Sequence, residues 1–140
     1  MKNVAYPYAA MEKLADAIGG NDDALQWLVI SGYTSLADFS DAVFDDEKAF
    51  RRLAHGSDKE LAAAIDALSG KTEAKKWLFL NGFRELAALC DAVNENKTAI
   101  MWLNKAGHAG WLLVAKAINK KFKDDDRKDP FGFFGSLLPR

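Results

Sequence analysis

Apolar positions in this chain recur at helical spacing inside a longer period of 25 residues. Four blocks run without a gap over 22–46, 47–71, 72–96 and 97–121, and a half block precedes them at 7–21. Ala24, Ala49, Ala74 and Ala99 share one block position, and Leu28, Leu53, Leu78 and Leu103 fall four residues later. That spacing places both columns on one helix face. The second half of a block carries Leu36, Phe39 and Val43, repeated as Leu86, Leu89 and Val93. This is the i, i+3, i+7 stripe of a second helix. A column of small residues, Ala17, Ala42, Ala67, Ala92 and Ala117, lets helices approach closely.

Polar punctuation separates the stripes. Asn21, Asp46, Thr72 and Asn96 precede the first helices as caps, with Asp22, Asp23, Glu47 and Glu73 in or next to the first turn. Gly32, Gly56, Gly82 and Gly107 end those helices. Ser57 and Glu60 have the spacing of a capping box, and Pro7 suits the first turn of a starting helix. No sustained period-two run argues for a strand. Helices of about ten residues are marginal alone in water, so the blocks must stack to bury their stripes. The expected fold is all-α: a superhelix or solenoid of about four and a half two-helix repeats, HEAT- or armadillo-like in general plan, with nine helices in a rod or arc. Residues 1–121 form the repeat domain and 122–140 a tail outside it, with Asp124–Asp126 as a hydrated hinge.

Composition narrows this picture little. Apolar residues make up 49% and charged residues 28%, ordinary for a globular chain. The formal net charge of −1 gives no overall attraction to nucleic acid or to an anionic membrane. No stretch is apolar for long enough to span a bilayer. Met1-Lys2-Asn3 leads into no apolar leader run. One cysteine, Cys90, makes no internal disulfide. The expected compartment is therefore the cytoplasm.

Candidate chemistry is sparse. Neither HExxH nor CxxC is present, and no glycine-rich phosphate cradle, so no catalytic, metal or cofactor residue is assigned. His55 and His108 fall in different block columns and read as cap or surface histidines. Cys90, beside Leu89 and Ala92, reads as a buried apolar thiol. Asp16, Asp41, Asp66 and Asp91 form a column that Lys116 breaks. Their expected role is to bond the N-terminus of a neighbouring helix or a basic side chain, with a cation ladder as the rival. Trp27, Trp77 and Trp102 are expected to form the core between repeats, with an aromatic groove lining as the rival. Trp111, at a leucine position, is expected to close the C-terminal end.

Two partner surfaces stand out. Block two places Arg52 where its neighbours carry tryptophan, next to Arg51, and Lys75 and Lys76 occupy the matching stretch of block three. Together they form a candidate basic patch for carboxylate or phosphate. The tail carries Phe131, Phe133, Phe134, Leu137 and Leu138 after Pro130. These are expected either to cover the exposed end of the last block near Trp111 or to dock on another molecule, including a second copy.

The A-x-x-W-L…G…L-A…D-A-V pattern at Ala24–Val43 and Ala74–Val93 resembles short helical-hairpin repeats of uncharacterised bacterial proteins, over about Pro7 to Lys121. That resemblance implies a binding scaffold and transfers no activity. The expected function is a non-catalytic protein- or peptide-binding module. The alternative is a nucleic-acid-binding helical repeat using Arg51, Arg52, Lys75, Lys76, Lys120, Lys121 and Lys123, which would need a continuous basic stripe. An enzyme would need a pocket with convergent titratable groups.

Overall fold

Both helices of each repeat end by rules the sequence sets. In a computed structural model, which describes residues 6–127, α1 spans Tyr8–Ile18, α2 Asp22–Ile30, α3 Thr34–Val43, α4 Glu47–His55 and α5 Lys59–Leu68. α6 spans Thr72–Leu80, α7 Arg84–Val93, α8 Lys97–Lys105 and α9 Ala109–Arg127. The aspartate column sits two residues before the last residue of α1, α3, α5 and α7. There the Asp16, Asp41, Asp66 and Asp91 carbonyls accept from Asn21, Asp46, Lys71 and Asn96 amides at 3.0–3.1 Å. This is the six-to-one bond of a Schellman turn. It requires a left-handed residue in between, which Gly20, Asp45, Gly70 and Glu95 supply.

Capping follows the sequence in three blocks. The side chains of Asn21, Asp46 and Asn96 accept from the amides of Ala24, Ala49 and Ala99. In block three the cap position falls on Lys71, and Thr72 is already helical, so no side chain caps α6. The capping box expected at Ser57–Glu60 does not form. Asp58 holds the cap position, and its carboxylate accepts from the Ser35 hydroxyl instead.

The stripes read from the sequence become a filled centre. α1, α3, α5, α7 and α9 pack side by side, while α2, α4, α6 and α8 each lie outside against the two odd helices flanking them. Repeat alignment stacks the inner side chains in tiers. Met11, Leu36, Leu61, Leu86 and Trp111 form one, and Leu14, Phe39, Ala64, Leu89 and Val114 the next, all of them buried. Burying a large apolar side chain stabilises by about 1.5–3 kcal/mol, so this centre drives the fold.

The row of odd helices closes on itself. α1 packs against α9, so the expected rod or arc is a ring of five inner helices. Trp111 carries the closure, meeting Tyr6 and Phe39 edge to face at 6.2 and 6.3 Å. It closes the C-terminal end as expected, against Tyr6 before α1 and Phe39 of α3. α9 also runs through Arg127, so residues 122–127 are helical and the expected hinge at Asp124–Asp126 is not one. Phe131, Phe133, Phe134, Leu137 and Leu138 lie outside the described residues.

Candidate functional site

The tryptophan column is not the core between repeats. Trp77 is 43% exposed and Trp102 36%, and Trp27 is half-buried. Each stacks on the residue six positions later, just across the turn that ends its helix. Trp27 lies on Tyr33 at 6.0 Å, Trp77 on Phe83 at 5.9 Å and Trp102 on His108 at 5.4 Å between ring centroids. The neighbouring Leu28, Leu78 and Leu103 take the buried place instead. One face of each stack supports the turn, and part of each indole remains in solvent.

Block two breaks this pattern in both partners. Arg52 replaces the tryptophan, Asp58 replaces the ring across the turn, and Ser57 stands where the other blocks carry left-handed Gly32, Gly82 and Gly107. Freed from the stack, Arg52 crosses to α3, where Nε and Nη2 donate to one Asp38 oxygen at 3.0 and 2.8 Å. Asp38 raises the guanidinium pKa further, first through that hydrogen bond.

The same seam two repeats later is built differently. Trp102 stands where Arg52 stands, and Ala88 where Asp38 stands. An indole facing a methyl group lines a groove where an ion pair bridges the counterpart seam. The groove, about 550 Å³, is lined among others by Phe79, Arg84, Ala88, Asn96 and Trp102. Beside it lies a second hollow of about 430 Å³, bounded by Lys75, Lys76, Phe79, Leu80, Ala87 and Asp91. The two share Phe79, Ala87 and Asp91, so they form one trough over the outer face of α7, between α6 and α8. Phe79 and Leu80 are mostly exposed there. The Arg84 guanidinium lies over the Phe79 ring at 5.3 Å, holding a cation at the rim.

Of the four bases singled out from sequence, three are held in ion pairs. Arg51 pairs with Glu47 at 3.5 Å, Arg52 with Asp38, and Lys75 Nζ with Asp91 at 2.8 Å. Lys75 and Lys76 border the trough, whereas Arg51 and Arg52 lie on α4. Lys121 and Lys123 are likewise paired, with Asp125 and Glu95.

The aspartate column divides in the same way. Asp91 finds the expected basic neighbour, Lys75, on α6. Asp66 pairs with Lys71, in the turn after its own helix, at 3.4 Å. Asp41 is partly withdrawn from water, and its pKa is raised chiefly by that burial and then by Asp46 and Asp38. No carboxylate of the column caps a neighbouring helix among the described residues. The recurring element is the backbone carbonyl of the Schellman turn.

Cys90 is buried, and its thiol donates weakly to the Ala64 carbonyl of α5 at 3.8 Å. Burial, and then the Asp91 charge, push its pKa up to about 12, which suits a packing role and not a nucleophile. His55 is exposed at the end of α4. The described residues hold no group of three or more metal-ligating side chains, and no described helix is long and apolar enough to cross a membrane.

A cleft of about 650 Å³ separates the C-terminal end of α1 from α9. Lys116, Lys120 and Lys121 line it with Asp16, Asp124 and Asp125, so its charges are mixed. The α6–α8 trough is lined chiefly by apolar side chains, with Lys76 and Arg84 at its rim and the Lys75–Asp91 pair beside them. No family model, no curated protein and no solved structure matches this chain.

The sequence points to Trp102, Lys75 and Lys76 at the trough but not to its floor, which small residues define. The signal was present: block three pairs Trp77 with Phe79 and Leu80, and Ala88 aligns with Asp38.

Proposed function

We propose that this protein is a non-catalytic binding module that takes an extended peptide segment in the trough across α7. The observation that carries this reading is the open seam at Trp102 and Ala88, where the equivalent seam is bridged by Arg52 and Asp38. Exposed aromatic side chains over a floor of alanines suit apolar side chains of a partner. Lys76 and Arg84 at the rim favour carboxylates beside them. The segment bound is accordingly apolar with adjacent acidic residues. A cytoplasmic location is part of the same proposal, since a chain with one cysteine does not draw on disulfides for its stability.

Nucleic-acid binding is the weaker reading. Arg51, Arg52, Lys75, Lys121 and Lys123 each pair with a carboxylate, which breaks up the basic stripe such binding uses.

Selection from a random-peptide display library against the full chain tests the proposal. The comparison protein carries Ala88→Asp with Trp102→Arg, which transplants the ion pair that bridges the equivalent seam. The proposal predicts enrichment of apolar–acidic peptides on the native chain and none on the double variant. Equal enrichment on both, or none on either, would overturn it.

A further inference from the structure

We infer that the trough across α7 receives helix α2 of a second copy of this chain, so that copies join head to tail. The inference rests on reading the trough as a docking surface and names its partner; the extended form of a bound segment is not needed for it. It starts from the outer helices. Two of the four, α2 and α6, end in a pair of large apolar side chains, Val29 with Ile30 and Phe79 with Leu80. The same positions hold Ala54 and His55 on α4, and Asn104 and Lys105 on α8. Ile30 is 83% exposed and Leu80 80%. Large apolar groups clustered in water mark a contact surface.

The two faces differ in charge. On α2, the exposed side runs from Asp22 and Asp23 through Gln26 to Val29 and Ile30. These positions are three, four, seven and eight apart, so one helix face carries an acidic head and an apolar end. The trough presents the complement. Trp77, Phe79, Leu80 and Trp102 are its exposed apolar side chains, and Lys76 and Arg84 are its rim cations. None of Asp22, Asp23, Lys76 and Arg84 joins an ion pair among the described residues. Paired like with like, these faces carry charge of one sign. Set α2 against the trough, and opposite charges meet across an apolar contact, which steers association and fixes its register.

Length agrees as well. At about 1.5 Å per residue, the nine residues of α2 extend about 13–14 Å and the ten of α7 beneath the trough about 15 Å. An amphipathic helix laid in an apolar groove is a recurring mode of recognition.

The contact is heterologous, because α2 belongs to the first repeat and α6 to the third. Each copy that gives its α2 keeps its own trough open, and the assembly grows until it closes.

Sedimentation of the full chain from about 1 µM to about 1 mM tests this, a span that covers weak association. The average mass is expected to rise from that of one chain to beyond that of two. Ile30→Glu and Leu80→Glu change exposed positions that a fold tolerates, and each variant alone should stay monomeric. Mixed in equal amounts they should form a pair and stop there. The first keeps an intact trough and the second an intact α2.

A native chain that stays monomeric over this range would overturn the inference. Assembly that survives either substitution would do the same. A mixture that remains monomeric would show a contact of like with like and overturn it equally. Library peptides selected in the trough of a chain that stays monomeric would leave the proposed function standing and sink this partner. Assembly restored by mixing, with no peptide selected, would keep this partner and sink the extended-peptide reading.

Discussion

Trp77 stacks on Phe83 with ring planes 17° from parallel, yet 43% of Trp77 remains exposed. The pair braces a turn at the edge of the ring and does not fill its centre. Trp77→Ala is therefore expected to cost about 1–2 kcal/mol, the stacking energy plus a partial burial term. Phe39→Ala, which empties a place at 0% exposure, should cost about 3–5 kcal/mol. Denaturant melts of the two variants check this. Equal losses would put Trp77 back in the core.

That contrast also shows what the sequence reveals and what it hides. Leu36, Phe39 and Val43 announce an inner stripe because their spacing is helical, and all three are buried. Trp27, Trp77 and Trp102 share a column just as strict, but column identity does not say which way a column faces. The burial falls on Leu28, Leu78 and Leu103 one position later. The useful signal was joint: Tyr33, Phe83 and His108 stand six residues after each tryptophan, while Arg52 is followed by Asp58. Closure of the ring was written in Gly110, which replaces Ser35, Glu60 and Glu85 of the other blocks. A one-dimensional period describes neighbours and carries no information about whether first and last units meet.

Cys90 should be chemically silent while the ring is intact. Its thiol pKa is raised to about 12, burial being the main cause, so thiolate is scarce at neutral pH. A disulfide-exchange reagent at pH 8 is expected to label nothing in the native chain and one thiol after denaturation. Rapid native labelling would mean that α5 and α7 separate readily.

Lys75 and Asp91 form a pair whose side chains are 44% and 39% exposed, so solvent screens it strongly. Its worth is expected to be under about 1 kcal/mol, and lower in high salt. The hydrogen bond to Asp91 raises the Lys75 pKa above the ordinary 10.5. The contribution is therefore full below that ordinary value and fades as pH rises through the folded one. Stability of Lys75→Met relative to the native chain, followed from neutral to strongly alkaline pH, should show a small deficit that disappears at the alkaline end. A deficit that grows with pH would contradict the assignment.

The most direct test of the ring is a covalent one across its closing seam. A β-carbon on Gly110 would lie 2.9 Å from that of Met11. This is somewhat under the roughly 3.5–4.5 Å that a disulfide prefers, and the Met11→Cys change itself removes the crowding thioether. The double variant Met11→Cys, Gly110→Cys is followed by mild oxidation and non-reducing electrophoresis at low protein concentration. A closed ring predicts nearly complete cross-linking within one chain. It also predicts a rise in stability on oxidation of up to about 4–5 kcal/mol, for a loop of nearly the whole domain. Free thiols that persist, or cross-links formed only between chains, would show that α1 and α9 do not meet and that the repeats form an open arc.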